Sequence, residues 1–367
     1  MPSLKGRTAT LTYSVITILG LAYAFYRGYL FPLAGRLSAF DHWQVGDWLI
    51  DYSGGVVRRG LSGEIVFLVA PGGTAAITTV VVIQAALAAA LFILVGALYW
   101  RTDRGPVWMM LVLSPAFLLF PALDATGNTR KELLVLVALG IAALFYRSGR
   151  TEVGLWIAAP LFVLGVFSHE ALAVTLPAFA YLAFTSLSRQ PAWRVMSVYA
   201  IAAVGALLLA LVRPGNAQTA TLICNSWNER GITDCGGALA ALGMPAGEMI
   251  QYLVTESYPT YWAYLLPMAL ATLPFFALRF WPRERLITVV TIVAVAPLFV
   301  LGWDYGRWIF LIVAQLSLIA LARPERTDPM RVPLYGALAF ILLWGFNHSG
   351  QPNSEGLGMR WLASLFS

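Results

Sequence analysis

Between positions 41 and 64 the chain reads DHWQVGDWLIDYSGGVVRRGLSGE. Asp41, Asp47, Asp51 and Glu64 share this stretch with His42, Arg58 and Arg59. The three aspartates stand at intervals of six and four, so 47 and 51 fall on one face if the segment is helical. A carboxylate held at a membrane edge can orient or deprotonate an acceptor hydroxyl for attack on an activated sugar carbon. The plainer reading is a solvated face on an interfacial helix. Trp43, Trp48 and Tyr52 would hold these acids at headgroup depth, where a lipid-linked phosphate lies. Arg58 and Arg59 precede Gly60, and paired guanidinium groups bind phosphate in a fork geometry. The competing reading pairs them with Asp51 or Glu64. Asp41, Asp47 and Asp51 are therefore the catalytic candidates, with Asp41 and Asp47 ahead, and Arg58, Arg59 and Glu64 are candidate substrate contacts.

Further polar residues lie far along the chain. Asp124, Asn128, Arg130, Lys131 and Glu132 form a second mixed group, in which Arg130 and Lys131 are a second basic pair. His169 and Glu170 interrupt the apolar run LFVLGVFSHEALAVTLP. They either form a tight turn that faces a cavity or kink one long helix. Asp304 and Arg307, within WDYGRW, either pin a turn or bind sugar hydroxyls beside Trp303 and Trp308. Three histidines (His42, His169, His348) with no helical pair do not make a zinc site. No metal ligands are assigned, the cofactor is unknown, and a divalent cation held by carboxylates stays open.

The elements that must position these residues follow from composition. The chain of 367 residues is 59% hydrophobic and only 11% charged, and its mean hydropathy is +0.74. Soluble domains carry roughly twice that share of charge. Its basic residues fall in short clusters between apolar runs, which does not suggest nucleic acid despite a net charge of +6. Apolar runs fit for membrane helices lie near 11–30, 75–100, 106–123, 132–147, 153–168, 170–187, 195–212, 259–279, 286–302, 307–322 and 332–346. The expected fold is an all-α polytopic membrane protein of about eleven transmembrane helices, forming a single domain over 1–367. The first apolar run, after Lys5 and Arg7, reads as a signal anchor.

Arginines mark alternate connections: Arg101 and Arg104, Arg147 and Arg150, Arg189 and Arg194, Arg279 with Arg283 and Arg285, and Arg323 with Arg326 and Arg331. By the positive-inside rule these are cytoplasmic. The N-terminus is then inside, the C-terminus outside, and every candidate site residue lies on the outer face. A bacterial inner membrane suits this layout. Within the first outer loop, 31–74, residues 38–50 and 61–70 are expected as two short interfacial helices. The extracytoplasmic insert 213–257 holds both cysteines, Cys224 and Cys235, for which a disulfide is expected outside the cytoplasm.

This outline resembles the GT-C type of integral membrane glycosyltransferase: a first span, an acidic outer loop with interfacial helices, then a multispan core. The resemblance implies a polyprenyl-phosphate-linked sugar or glycan as donor and membrane lipids as neighbours. It also implies a catalytic acid in the first outer loop, here Asp41 or Asp47. Asp124 or Glu132 would be the second-loop acid. Arg130, Lys131, His169, Glu170, Asp304 and Arg307 complete the expected substrate contacts. The chain lacks an adjacent Asp-Glu or Asp-x-Asp pair in that loop and a large soluble C-terminal domain. O-antigen polymerases and ligases are a second resemblance, through the arginine pairs and the late outer insert. A transporter or lipid flippase is a third reading.

Overall fold

A computed structural model describes residues 4–37, 40–124, 126–127, 129–349 and 356–359. Asn128, a member of the second polar group, lies outside these. The regular elements of the described residues are all helices, with no strand among them, as the continuous apolar runs require. Once backbone groups leave water, a helix satisfies them within its own segment.

At the centre is the helix Tyr305–Ala322, buried over its whole length. Its sequence, YGRWIFLIVAQLSLIALA, is mostly apolar around its circumference, with Arg307, Gln315 and Ser317 the polar exceptions, which is the pattern of a helix with no solvent face. Helices Glu132–Arg147 and Gly73–Tyr99 pack against it, and Thr151–Ser168 lies antiparallel to Glu132–Arg147. The N-terminal helix is peripheral. It runs from Leu4 through a π turn at Tyr26–Leu30 and on to Arg36.

Among the described residues six helices are long and apolar enough to cross a membrane: Thr8–Arg36, Gly73–Tyr99, Thr151–Ser168, Arg189–Val212, Thr260–Ala277 and Tyr305–Ala322. Glu170–Ser186 and Arg285–Leu301 are apolar but shorter. The expected set of eleven is thinned where the chain breaks. The run 106–123 divides into Pro106–Val112 and Phe120–Leu123 around the turn at Ser114 and Pro115. The run 332–346 is helical only over Leu334–Leu342. Pro160 and Pro297 sit within intact helices.

The bundle has two distinct ends. At one, Arg147 donates to Leu321 O at 3.2 Å, Arg194 pairs with Glu152, and Arg279 pairs with Asp328 at 2.9 Å. Arg323, Tyr181 and Glu284 also meet there. The helices that leave this end carry the residues of the polar groups at 41–64, 124–132, 169–170 and 304–307 to the other.

The first loop corrects one expectation. Of the expected helix 38–50, residues 38 and 39 lie outside the described residues, and 40–50 do not form an amphipathic helix on a surface. Only Gly46–Leu49 is helical, and Trp48, Leu49 and Ile50 are fully buried. Tertiary packing pulls the segment inward. Trp48 Nε1 donates to Thr129 O at 3.1 Å, and Gln84 Nε2 donates to Gln44 O at 2.8 Å. The second short helix, Leu61–Val69, forms as expected and lies against the 49–50 backbone. A Cβ at Gly63 would stand 2.1 Å from Ile50 O, so only glycine permits that approach.

Cys224 and Cys235 are bonded, with Cα atoms 5.5 Å apart. The bond closes the end of helix Ala217–Glu229, which lies across the first loop. Trp227 of that helix is buried, and its Nε1 donates to Leu49 O at 3.2 Å.

Candidate functional site

Asp41 opens the inward-folded turn. Its Oδ1 accepts the backbone N–H groups of Trp43 at 2.9 Å and Gln44 at 2.7 Å, and Oδ2 stands 3.8 Å from Arg36 Nε. Side-chain acceptance of this kind starts a helical turn. Asp47 follows on the single turn Gly46–Leu49, with its side chain 3% exposed.

Asp47 faces Lys131, the residue that precedes helix Glu132–Arg147. Lys131 is wholly buried, and its Nζ lies 3.5 Å from Asp47 Oδ1. It donates to Ser168 O at 2.8 Å and Arg59 O at 3.3 Å. Asp47 Oδ1 accepts no hydrogen bond. A buried carboxylate oxygen whose one partner is the Lys131 ammonium at 3.5 Å keeps acceptor capacity unused, which a catalytic role would explain. Burial alone would raise the Asp47 carboxyl, but Lys131, Arg59 and Arg130 outweigh it and hold it at about 2. Burial also lowers Lys131, which Asp47 partly offsets, and leaves it at about 8. Both groups are therefore ionised near neutrality, as a mutually dependent pair.

Arg58 and Arg59 converge on one carboxylate, but not either of those expected. Glu170 Oε1 accepts Arg58 Nη1 at 2.7 Å and Arg59 Nη2 at 3.1 Å. Arg59 holds φ +69, the left-handed region, which costs a non-glycine residue roughly 1–2 kcal/mol. That conformation carries its guanidinium to Glu170 and its carbonyl to Lys131. The helix Thr151–Ser168 ends at Ser168, His169 is extended, and Glu170 starts a 3₁₀ segment. Of the two readings of this stretch, the tight turn is what forms. His169 is buried and its Nδ1 lacks a partner. Burial, with Arg59 beside it, pushes its imidazole well below the usual range, so it is neutral.

Arg307 extends the cluster from the central helix. Its Nε donates to Glu132 Oε1 at 3.0 Å, and Nη1 pairs with Asp304. Arg130 donates from Nη1 to Trp43 O at 2.8 Å, while its Nε and Glu132 Oε2 have no partner. A small cavity, with room for about one water, lies between Arg130, Glu132 and Arg307 on one side and Tyr29, Phe120 and Phe310 on the other. The connected set holds five cations (Arg58, Arg59, Arg130, Lys131, Arg307) against four carboxylates (Asp47, Glu132, Glu170, Asp304). It carries an excess of positive charge in a buried place.

Other expected residues stand apart from this set. Asp51 accepts the Ser53 N–H at 3.0 Å and the Ser53 hydroxyl at 2.5 Å, as a turn-former does. Glu64 is exposed and accepts Tyr52 N–H at 3.2 Å. Asp124 Oδ1 accepts Thr126 N and Gly127 N, both at 3.0 Å, and Oδ2 meets His348 Nδ1 at 2.6 Å. Asp124 thus clamps its loop to the segment after the last helix. The residues that sequence reasoning passed over are Gln44 and Thr129. Thr129 Oγ1 donates to Gln44 Oε1 at 2.9 Å, which fixes the turn that aims Asp47. Uncharged residues at these positions give no signal until the loops meet. Among the described residues no three His, Cys, Asp or Glu converge as metal ligands.

Buried charge at one end of an apolar, all-helical bundle defines an integral membrane protein with an intramembrane or membrane-edge polar site. The chain belongs to the family described as uncharacterised membrane protein Rv1490, whose model matches residues 15–276. That match spans Asp47, Arg58, Arg59, Lys131, His169 and Glu170, and ends before Asp304 and Arg307. Neither the curated proteins nor the solved structures contain a match to the chain.

Proposed function

We propose that this protein is a membrane glycosyltransferase that moves a sugar from a polyprenyl-phosphate donor to an acceptor hydroxyl at the extracytoplasmic face. The observation that carries the reading is Asp47: buried, ionised, paired with Lys131, and with an oxygen that has no hydrogen-bond donor. Its neighbours Arg58 and Arg59 share one glutamate and keep a net positive charge for phosphate.

In this reaction the acceptor oxygen bonds to the anomeric carbon while the bond from that carbon to the phosphate oxygen breaks. The electron pair leaves with the lipid phosphate, where Arg58 and Arg59 stabilise the developing charge. The hydroxyl proton passes to Asp47. A carboxyl held at about 2 is a weak base. Its main work is therefore to orient the hydroxyl and to accept the proton late, as the attacking oxygen becomes acidic. The electrostatic field of its ionised form also favours positive charge on the sugar ring. Glu132, Asp304 and Arg307 line the other side of the cluster as candidate sugar contacts.

The topology that goes with this reading has eleven passages between the two ends, the N-terminus inside and the C-terminus outside. It is supported by the contacts that gather Arg101, Arg147, Arg194, Arg279 and Arg323 at the end away from Asp47. Cysteine labelling at Arg150 and Arg326 should report the cytoplasm, and labelling at Asn228 the outside.

The test of the reaction uses purified protein in vesicles with a panel of polyprenyl-phosphate-linked hexoses and pentoses and a cell-envelope glycan extract that supplies acceptor hydroxyls. Wild-type protein should release polyprenyl phosphate from at least one. Asp47→Asn should lower that turnover by about 10²–10⁴-fold, whereas Asp41→Asn should change it only a few-fold. Full activity in a folded, inserted Asp47→Asn variant would remove the catalytic assignment.

A further inference from the structure

An open groove of about 710 Å³ lies beside the buried cluster, on the outside of the bundle. One wall is the last turns of helix Arg189–Val212, where Gly205, Leu208, Leu209 and Val212 share a face. That wall is about 10 Å long at 1.5 Å per residue. The other wall is Phe167, with Tyr52 and Val56 from the first loop. A Cβ at Gly205 would stand 3.3 Å from Phe167 Cζ, so glycine at this position lets the two walls approach closely.

The groove is apolar along its length and basic at its mouth. Arg213 lines that mouth, is exposed, and forms no ion pair among the described residues. The same strand of chain is bonded to the buried site. Arg213 O accepts Arg58 N at 3.0 Å, and Pro214 O accepts Arg58 Nε at 2.7 Å. Arg58 and Arg59 meet Glu170, and the backbone of Arg213 is held beside Arg58, where the groove joins the cluster.

We infer that this groove holds the tail of a single-chain lipid phosphate, with the phosphate between Arg58 and Arg213. The inference rests on the lipid-linked donor proposed above and adds where that donor's tail lies and which arginine admits it. One groove, ending at one basic mouth, suits a single polyisoprenoid chain rather than the two chains of a phospholipid. Bilayer tails are as apolar as leucine, so the groove wall gains little over the surrounding lipid. Affinity comes mainly from the arginines, and the groove selects the chain.

The test places the full chain in phosphatidylcholine nanodiscs with a polyprenyl phosphate that carries a photoactivatable diazirine in its second isoprene unit. Cross-linked peptides should contain Phe167, Leu208 or Leu209. Arg213→Ala should weaken binding about tenfold or more, the worth of a charged hydrogen bond. Gly205→Trp should abolish the groove cross-links. Val56→Trp, at an exposed rim position, should reduce them several-fold. Binding with cross-links elsewhere overturns the groove and leaves the donor reading standing. Equal labelling by photoactivatable phosphatidic acid overturns it too, since the groove would then hold ordinary bilayer lipid. No binding of polyprenyl phosphate at all removes the donor reading, and the groove assignment with it.

Discussion

Replacing Lys131 with methionine isolates the physics of the buried pair. Lys131→Met keeps the side-chain length and removes the charge, leaving Asp47 in place with an oxygen that already lacks a donor. Breaking a buried pair from one side costs about 3–5 kcal/mol, because the remaining charge is uncompensated. The reverse change is milder. In Asp47→Asn, Lys131 can release its proton and still donate to Ser168 O and Arg59 O, so about 1 kcal/mol is expected. The pair itself adds little net stability. Asp47 lowered to about 2 contributes on the order of 2 kcal/mol, and Lys131 lowered to about 8 costs on the order of 3 kcal/mol. The double variant should therefore recover at least about 2 kcal/mol of the loss in Lys131→Met, while remaining inactive. The assay is unfolding of the detergent-solubilised protein, with all four members of the double-mutant cycle compared under one condition. If Asp47→Asn is as damaging as Lys131→Met, or the double variant gains nothing, the two groups are not coupled as described.

The same pair sets a pH dependence. Lys131 binds its proton up to about pH 8 when folded and up to about 10.4 when unfolded, so stability rises with pH across that window. Unfolding midpoints should show this rise in wild-type protein and lose it in Lys131→Met. Transfer should instead fall above about pH 8, as the cation beside Asp47 is lost, and a pH–rate profile measures that limb. Cys224 and Cys235 should resist thiol labelling unless reduced. Closing their short loop contributes about 3 kcal/mol in the chain-entropy model, so Cys224→Ser should speed proteolysis within Ala217–Glu229. Asp41→Ala removes two acceptor contacts at the start of the turn and should cost about 1 kcal/mol, read as a lowered unfolding midpoint.

The amino-acid sequence by itself determined the class, an all-helical membrane protein. Apolar runs of that length have one stable backbone solution once they leave water. It also marked the chemistry, because charge is scarce in such a chain and each cluster stands out. Arg58, Arg59, Lys131, His169, Glu170, Asp304 and Arg307 were all visible as polar interruptions, and the two cysteines as a bonded pair. Which of these meet was decided only by tertiary structure. Sequence spacing offered Asp51 and Glu64 as partners for Arg58 and Arg59, yet the carboxylate that joins them is Glu170, over a hundred residues away. The same holds within the first loop. Periodicity gave 38–50 the look of a surface helix, because a buried tryptophan and an interfacial one read alike. The hydrogen bond from Trp48 to Thr129 turns the segment inward and separates Asp47, which enters the cluster, from Asp41, which caps a turn. Local pattern reports where charge sits along the chain. Pairing depends on how helices cross, and that is set by side-chain packing between segments that no local window contains.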